Sequence, residues 1–327
     1  KSGLSVRNTG KNVHINCPFC GESKRRLYLY PDTEQYHCFH CGAHGNAVSL
    51  YARRTGLSYA NAYHELEADR MLHFPLPNVP KTPEREPASI EKRDAVYRAM
   101  LWLLPLSAEH HQNLLHRGLS EQKIRGNSYR TLADGKELRD SIAAQLSARF
   151  DLNGIPGFYF RDGSWRLCAY SGLLIPVRDA DGRMQGIQIR RDSAERMKYV
   201  WLSGAGRPCG TPARSWVHVT GNRAKATAVI TEGPLKGDAA SALSGDMLFL
   251  CVPGVSAIKY LPETLKNLHL TAVYEAFDMD KLRNPQVVAA RKRLRQMIAD
   301  CGLPCRTLLW NETCNGIDDY LASKKIC

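Results

Sequence analysis

Between residues 12 and 50 short apolar runs of β type alternate with turns that carry glycine and cysteine, the rhythm of small strands rather than of helices. Residues 46–71 then take up a helical period, with a break near Gly56. Residues 73–87, HFPLPNVPKTPEREP, hold five prolines and mixed charge and read as a linker. From 90 to 150 apolar positions such as Val96, Leu101 and Leu104 fall at helical spacing. Near residue 155 the period shortens. GLLIPVRDADGRMQGIQIRR is two β runs joined by Asp-Ala-Asp-Gly, which predicts a hairpin. In the last third, Ala226–Thr231, Met247–Val252, Leu270–Phe277 and Thr307–Trp310 read as strands. Residues 234–243 and 285–300 read as helices between them, the second with Val287, Ala290, Leu294, Met297 and Ile298 on one side. Strand–helix alternation of this kind predicts a parallel sheet covered by helices.

Composition adds partners to this outline. At 327 residues, 43% hydrophobic and 24% charged, the chain has the make-up of a soluble protein of two or three domains. No apolar run approaches a membrane span and no secretory hydrophobic region opens the chain, so neither a membrane partner nor export is expected. The chain begins at Lys1 rather than Met, as a fragment or processed chain would. A formal net charge of +13 favours a polyanionic partner. The excess is greatest over residues 151–231, which carry +6. Eleven cysteines without a signal peptide do not make a disulfide framework, and a reducing cytoplasm fits them.

Four cysteines have a defined spacing. Cys17-Pro-Phe-Cys20-Gly and Cys38-Phe-His-Cys41-Gly form two matching knuckles. Tetrahedral zinc needs four soft ligands, and two tight turns supply two thiolates each. Four protein ligands close the site, so the ion is structural. His37, His40 and His44 crowd the second knuckle and read as surface residues. Lys24-Arg25-Arg26 with Tyr28 and Tyr30 suits single-stranded nucleic acid or a solvated face equally.

A second constellation is built of carboxylates. Glu232-Gly233 follows the predicted strand 226–231, and Asp278-x-Asp280 follows the strand 270–277. At the carboxyl edge of a parallel sheet these groups converge where ligands bind. Oxygen-only ligands suit Mg²⁺ or Mn²⁺. Asp318-Asp319 is a third acidic pair after the last strand. The competing account is that Asp280 and Asp318 cap the helices that follow them.

These segments resemble a known family. CPFC and YHCFHCGAHGNAVSL look like the zinc-binding domain of bacterial and phage primases. TEGPLKGDAASAL, AFDMDK and GIDDYL look like the Toprim catalytic domain. Residues 172–202 resemble the basic lobe that precedes it. The sequence FDMDKLRNP is similar to Toprim primases of phages, plasmids and other mobile elements. The likeness covers residues 12–55 and 155–323 and leaves the linker and 90–150 outside it. It departs from the family at two points: Cys20 stands where a histidine is common, and Lys236 stands where an aspartate follows the glutamate by four residues.

The resemblance implies a multidomain α/β protein in five parts: a β-rich zinc ribbon (1–72), a proline-rich linker (73–93), a helical region (94–150), a basic α+β lobe (151–225) and a Rossmann-like Toprim domain (226–327). It implies an enzyme that makes RNA primers on single-stranded DNA from nucleoside triphosphates. Glu232, Asp278, Asp280 and Asp319 would hold one or two Mg²⁺ or Mn²⁺ ions. Arg178, Arg190, Arg191, Lys198, Lys225 and Lys236 would neutralise triphosphate and template. No G-x-x-x-x-G-K-[ST] loop is present, so a helicase motor would act in trans or from a further segment. The alternatives are a Toprim nuclease or topoisomerase, for which no nucleophilic tyrosine is identified, and a non-catalytic DNA-binding module.

Overall fold

The computed structural model describes residues 6–8, 13–30, 34–72, 85–193, 197–254, 257–278, 285–311 and 313–325. The chain forms two compact units, Lys1–Thr82 and Pro83–Cys327.

In the first unit, β1 (Val6–Asn8), β2 (Val13–Ile15), β3 (Leu27–Tyr30), β4 (Gln35–Cys38) and β5 (His44–Asn46) make an antiparallel meander in chain order. One face buries Ile15, Leu27, Tyr36, Cys17 and Cys38. Two helices follow, α1 (Ala47–Thr55) and α2 (Tyr59–Leu72). The Asn46 side chain accepts the Ser49 N–H at the start of α1, and Gly56, left-handed at φ 73°, ends it. That glycine is the break visible in the periodicity.

The second unit begins at Pro83, within the proline-rich stretch. Residues 73–84 of the expected linker 73–93 lie outside the described residues, but Ser89 caps α3 (Ile90–Trp102). α4 (Ala108–His116) and α5 (Glu121–Asn127) repeat the device, with Ser107 and Ser120 as caps and Glu109 and Glu121 in the first turns. The region 94–150 is not wholly helical. β6 (Arg130–Leu132) precedes α6 (Lys136–Ser147) and pairs with a later strand at residues Gly172–Leu174.

The strands β7 (Phe158–Arg161) and β8 (Ser164–Leu167) form a hairpin, and β9 (Gly172–Arg178), β10 (Met184–Arg191) and β11 (Tyr199–Trp201) complete a sheet of order β11-β10-β9-β6. Asp179-Ala180-Asp181-Gly182 turns β9 into β10, as its residues predict; Asp179 accepts three hydrogen bonds from Asp181 and Arg183. One face of this sheet packs Leu174, Ile187 and Ile189 against Val96, Met100 and Ile142 of α3 and α6. The other packs Leu173 and Ile175 against Leu114, Ile124 and Leu235.

The C-terminal sheet contains β12 (His218–Thr220), β13 (Thr227–Glu232), β14 (Leu248–Val252), β15 (Ala272–Glu275) and β16 (Cys305–Thr307), in the order β12-β14-β13-β15-β16. All neighbours are parallel except β12, which runs against β14. Its helices are α7 (Pro234–Leu243), α8 (Leu261–Lys266), α9 (Pro285–Asp300) and α10 (Ile317–Lys325). β14 is buried at every position, which explains its unbroken apolar run. The last strand lies two residues before the predicted Thr307–Trp310, because the Trp310 side chain belongs to a buried cluster and donates to the Cys314 carbonyl (2.8 Å). The multidomain α/β architecture is the one expected. Among the described residues no helix is long and apolar enough to cross a membrane.

Candidate active site and zinc centre

The ribbon brings its four thiols together. The sulfurs of Cys17, Cys20, Cys38 and Cys41 all lie within 4.8 Å of one another. Cys17 Sγ and Cys41 Sγ are 3.8 Å apart, matching the edge of about 3.8 Å for a tetrahedron of ~2.3 Å zinc–sulfur bonds. Gly21 and Gly42, both at positive φ, donate to the Cys17 and Cys38 carbonyls and close the two knuckles (3.0 and 2.9 Å). Glu22 accepts the N–H groups of Lys24 and Arg26 (2.8 and 2.7 Å). Burial pushes the Cys17 thiol up to about 12, so zinc uptake displaces that proton. His37, His40 and His44 are outside the thiol cluster.

Two of those rings, His37 and His44, belong to a different pattern. His14 pairs with Tyr28, Tyr28 with His37, and His37 with His44 across β2, β3, β4 and β5. Facing residues share one side of a sheet, so the register lines up four rings in one row. Centroid distances are 4.0 Å for His14–Tyr28 and 6.3 Å for His37–His44. Phe39 stands edge-on to both Tyr28 and His37 and is 60% exposed.

In the second unit the carboxyl edge of the parallel sheet gathers acidic groups. Glu232 ends β13, and Gly233 (φ 78°) turns the chain into α7, with Pro234 in its first turn. Ile230 pairs with Glu275, so Asp278, three residues on, emerges at the same edge. Asp278 is buried and ion-pairs with Lys236 of α7. Asp280 lies outside the described residues. The pair Asp318-Asp319 divides its labour. Asp319 accepts the Gly316 N–H (3.1 Å) and caps α10, whereas Asp318 is buried and its Oδ1 has no hydrogen-bond partner. Burial pushes the Asp318 carboxyl above its usual range, against the pull of Lys236 and Arg117. Arg117 Nη1 lies 3.8 Å from Asp318 Oδ2. The sequence reads Asp318 as one of a third acidic pair or as a helix cap, and the structure gives the contact to Gly316 to Asp319 instead. Arg117 is a residue that sequence reasoning passes over. The signal for Arg117 is the glycine that follows it, which lets the chain approach Leu243 of α7. The oxygen donors Glu232 and Asp278, with the orphaned Asp318 oxygen, fit a hard divalent cation.

The basic residues separate by strand register. Arg190 faces Leu173, and Gln188 faces Ile175, so both lie on the side of the sheet that packs against Leu235, next to Lys236. The Arg190 Nε is buried without a hydrogen-bond partner, a donor aimed at no protein group. Arg191 lies over the ring of Tyr170 (4.5 Å), and Lys198 is exposed. The Arg178 guanidinium donates to the Gly182 and Asn127 carbonyls (3.0 and 3.2 Å), so its first task is to hold the hairpin turn. Lys225 precedes the amino end of β13, about 20 Å of extended chain from Glu232. The structure does not bring it to the carboxylates. A feature with no sequence signal sits under Arg178: Asp238, fully enclosed, accepts from Tyr129 (2.5 Å), Thr220 (2.7 Å) and His218 (3.1 Å).

Comparison with known proteins places these features. Residues 1–79 match the CHC2 zinc finger family, and residues 216–326 match a domain of unknown function (DUF3854). The DNA primase of Escherichia coli O6:H1 is 31% identical over 219 residues, which covers 60% of this chain and 35% of that protein. The DNA primase of Haemophilus influenzae is 28% identical over 216 residues, with the same two shares. The chain thus spans about a third of the length of the curated relatives it matches. Among solved structures, the zinc-binding and RNA polymerase domains of the Aquifex aeolicus primase superpose over 98% of this chain and 78% of theirs, with a TM-score of 0.56 and 17% identity. A DnaG primase catalytic domain bound to single-stranded DNA superposes over 72% of this chain and 79% of its own (TM-score 0.52, 15% identity).

Proposed function

We propose, from the premise that this chain is a relative of the bacterial DNA primases with their N-terminal zinc ribbon, that it synthesises short RNA primers on single-stranded DNA by metal-dependent nucleotidyl transfer. One observation carries the reading: a single chain joins a four-thiol ribbon to a primase polymerase fold whose sheet edge presents Glu232 and Asp278. The resemblance of FDMDKLRNP points to the replication of a phage, plasmid or other mobile element in the cytoplasm.

Glu232, Asp278 and the expected Asp280 would hold Mg²⁺ or Mn²⁺, which neutralises triphosphate charge and activates the primer hydroxyl. Arg190 offers a buried, unpaired donor to a phosphate on the face that looks towards α7. The ring row His14–Tyr28–His37–His44 offers template bases a stacking surface, with Lys24, Arg25 and Arg26 on the loop before β3 for the phosphates. The ribbon then selects template and the sheet edge carries the chemistry. A replicative helicase would join in trans or from a further segment.

The test is incorporation of labelled ribonucleotides on single-stranded DNA in the presence of Mg²⁺ or Mn²⁺. Primers of defined length are the expected product. Strand scission would select a nuclease instead, and tight DNA binding without incorporation would select a binding module.

A further inference from the structure

Lys236 is out of place electrostatically. It occupies the first turn of α7, where the helix dipole disfavours a cation. No side chain caps that helix end. What the lysine gains is on the other side: its ammonium ion-pairs with Asp278, and the two side chains are 21% and 9% exposed. It is also enclosed from a third segment. A Cβ on Gly316 would lie 3.2 Å from both Cε and Nζ of Lys236 and 2.5 Å from Asp318 Oδ1. The absent side chain at 316 therefore lets the start of α10 close on the ammonium. The same Asp318 oxygen is buried with no hydrogen-bond partner, and Lys236 is the first charge that favours its ionised form.

We infer that Lys236 is a resident cation of the carboxylate cluster, ion-paired with Asp278 and within electrostatic reach of Asp318, in the place a second divalent ion would otherwise take. The inference rests on the reading of the sheet edge as a metal-dependent site. Its consequence is a site that exchanges one divalent ion per chain besides zinc. An ammonium on one oxygen of Asp278 takes that oxygen from any metal, and its charge repels an ion bound nearby. A lysine that served only as a strut between α7, β15 and α10 would affect stability and leave ion number and affinity alone.

The test is titration of the full-length chain with Mn²⁺, counting free ion by electron paramagnetic resonance. Zinc content and melting temperature serve as folding controls, and primer synthesis is measured in parallel. Wild type is expected to take one Mn²⁺. Lys236→Asp is expected to take two. Lys236→Gln, which keeps the length and removes the charge, should bind its ion about tenfold more tightly while primer synthesis falls. If Lys236→Asp does not fold, the affinity of Lys236→Gln decides. Two ions or none in wild type would overturn the inference, as would variants with unchanged ion number and affinity. Primer synthesis by a two-ion wild type would sink the resident cation and leave the primase reading standing. One ion with no primers would do the reverse.

Discussion

His218 donates from Nε2 to Asp238 Oδ1 at 3.1 Å and accepts the Arg178 backbone N–H at Nδ1 at 2.9 Å. The second bond settles the tautomer, since an amide N–H can only donate. Asp238 also accepts from Thr220 and Tyr129. This network ties α7 to β12 and, through Tyr129, to the turn before β6.

Burial alone would push the Asp238 carboxyl up, but His218, Thr220 and Tyr129 outweigh it and hold the group below the ordinary carboxylate range. A depressed carboxylate stabilises the fold above its unfolded value and loses that stability as pH falls through the folded one. Asp238→Asn should therefore cost about 3 kcal/mol at pH 7. In urea unfolding from pH 7 to 3, the gap between variant and wild type should close only below about pH 4. A gap that narrows near pH 6 would contradict this account.

Glu232→Gln removes one negative charge from the carboxyl edge with almost no change in shape. Primer synthesis should fall by at least about 100-fold while the melting temperature holds. Activity within a few-fold of wild type would remove Glu232 from the chemistry.

Cys38→Ser takes one buried thiolate from the zinc centre. Among the described residues the ribbon's buried cluster is five residues, two of them zinc ligands, so the metal supplies much of its folding energy. Limited proteolysis should then cut within residues 13–72, while residues 85–325, with separate cores, keep their thermal transition. Loss of both transitions together would show that the units do not fold separately.

Tyr28→Ala removes the second ring of the row on the ribbon face. Affinity for fluorescein-labelled single-stranded DNA should weaken by about 1–3 kcal/mol, with zinc content unchanged. Unaltered affinity across a range of salt would remove this face from the template path.

Much of this was legible along the chain. Cys17, Cys20, Cys38 and Cys41 announce zinc because two short turns carry every ligand and no distant contact is needed. Glu232 and Asp278 are legible because each follows a largely apolar run that reads as a strand of a strand–helix alternation. The hairpin at Asp179–Gly182 and the end of α1 at Gly56 are local too, since turn chemistry and left-handed backbone are written in single residues.

What the sequence determined by itself is thus whatever depends on neighbours a few residues apart: strand and helix type, the zinc knuckles, and the candidate acids at strand ends. Tertiary structure alone decided that Asp318 is buried with one oxygen unpartnered. It alone brought Arg117 to Asp318 and set Arg190 and Arg191 on opposite fates. The physical reason is that a side chain's role follows from register and from what packs across from it. Those contacts join residues dozens to hundreds of positions apart, as Lys236 meets Asp278 42 residues on, and no local pattern encodes them.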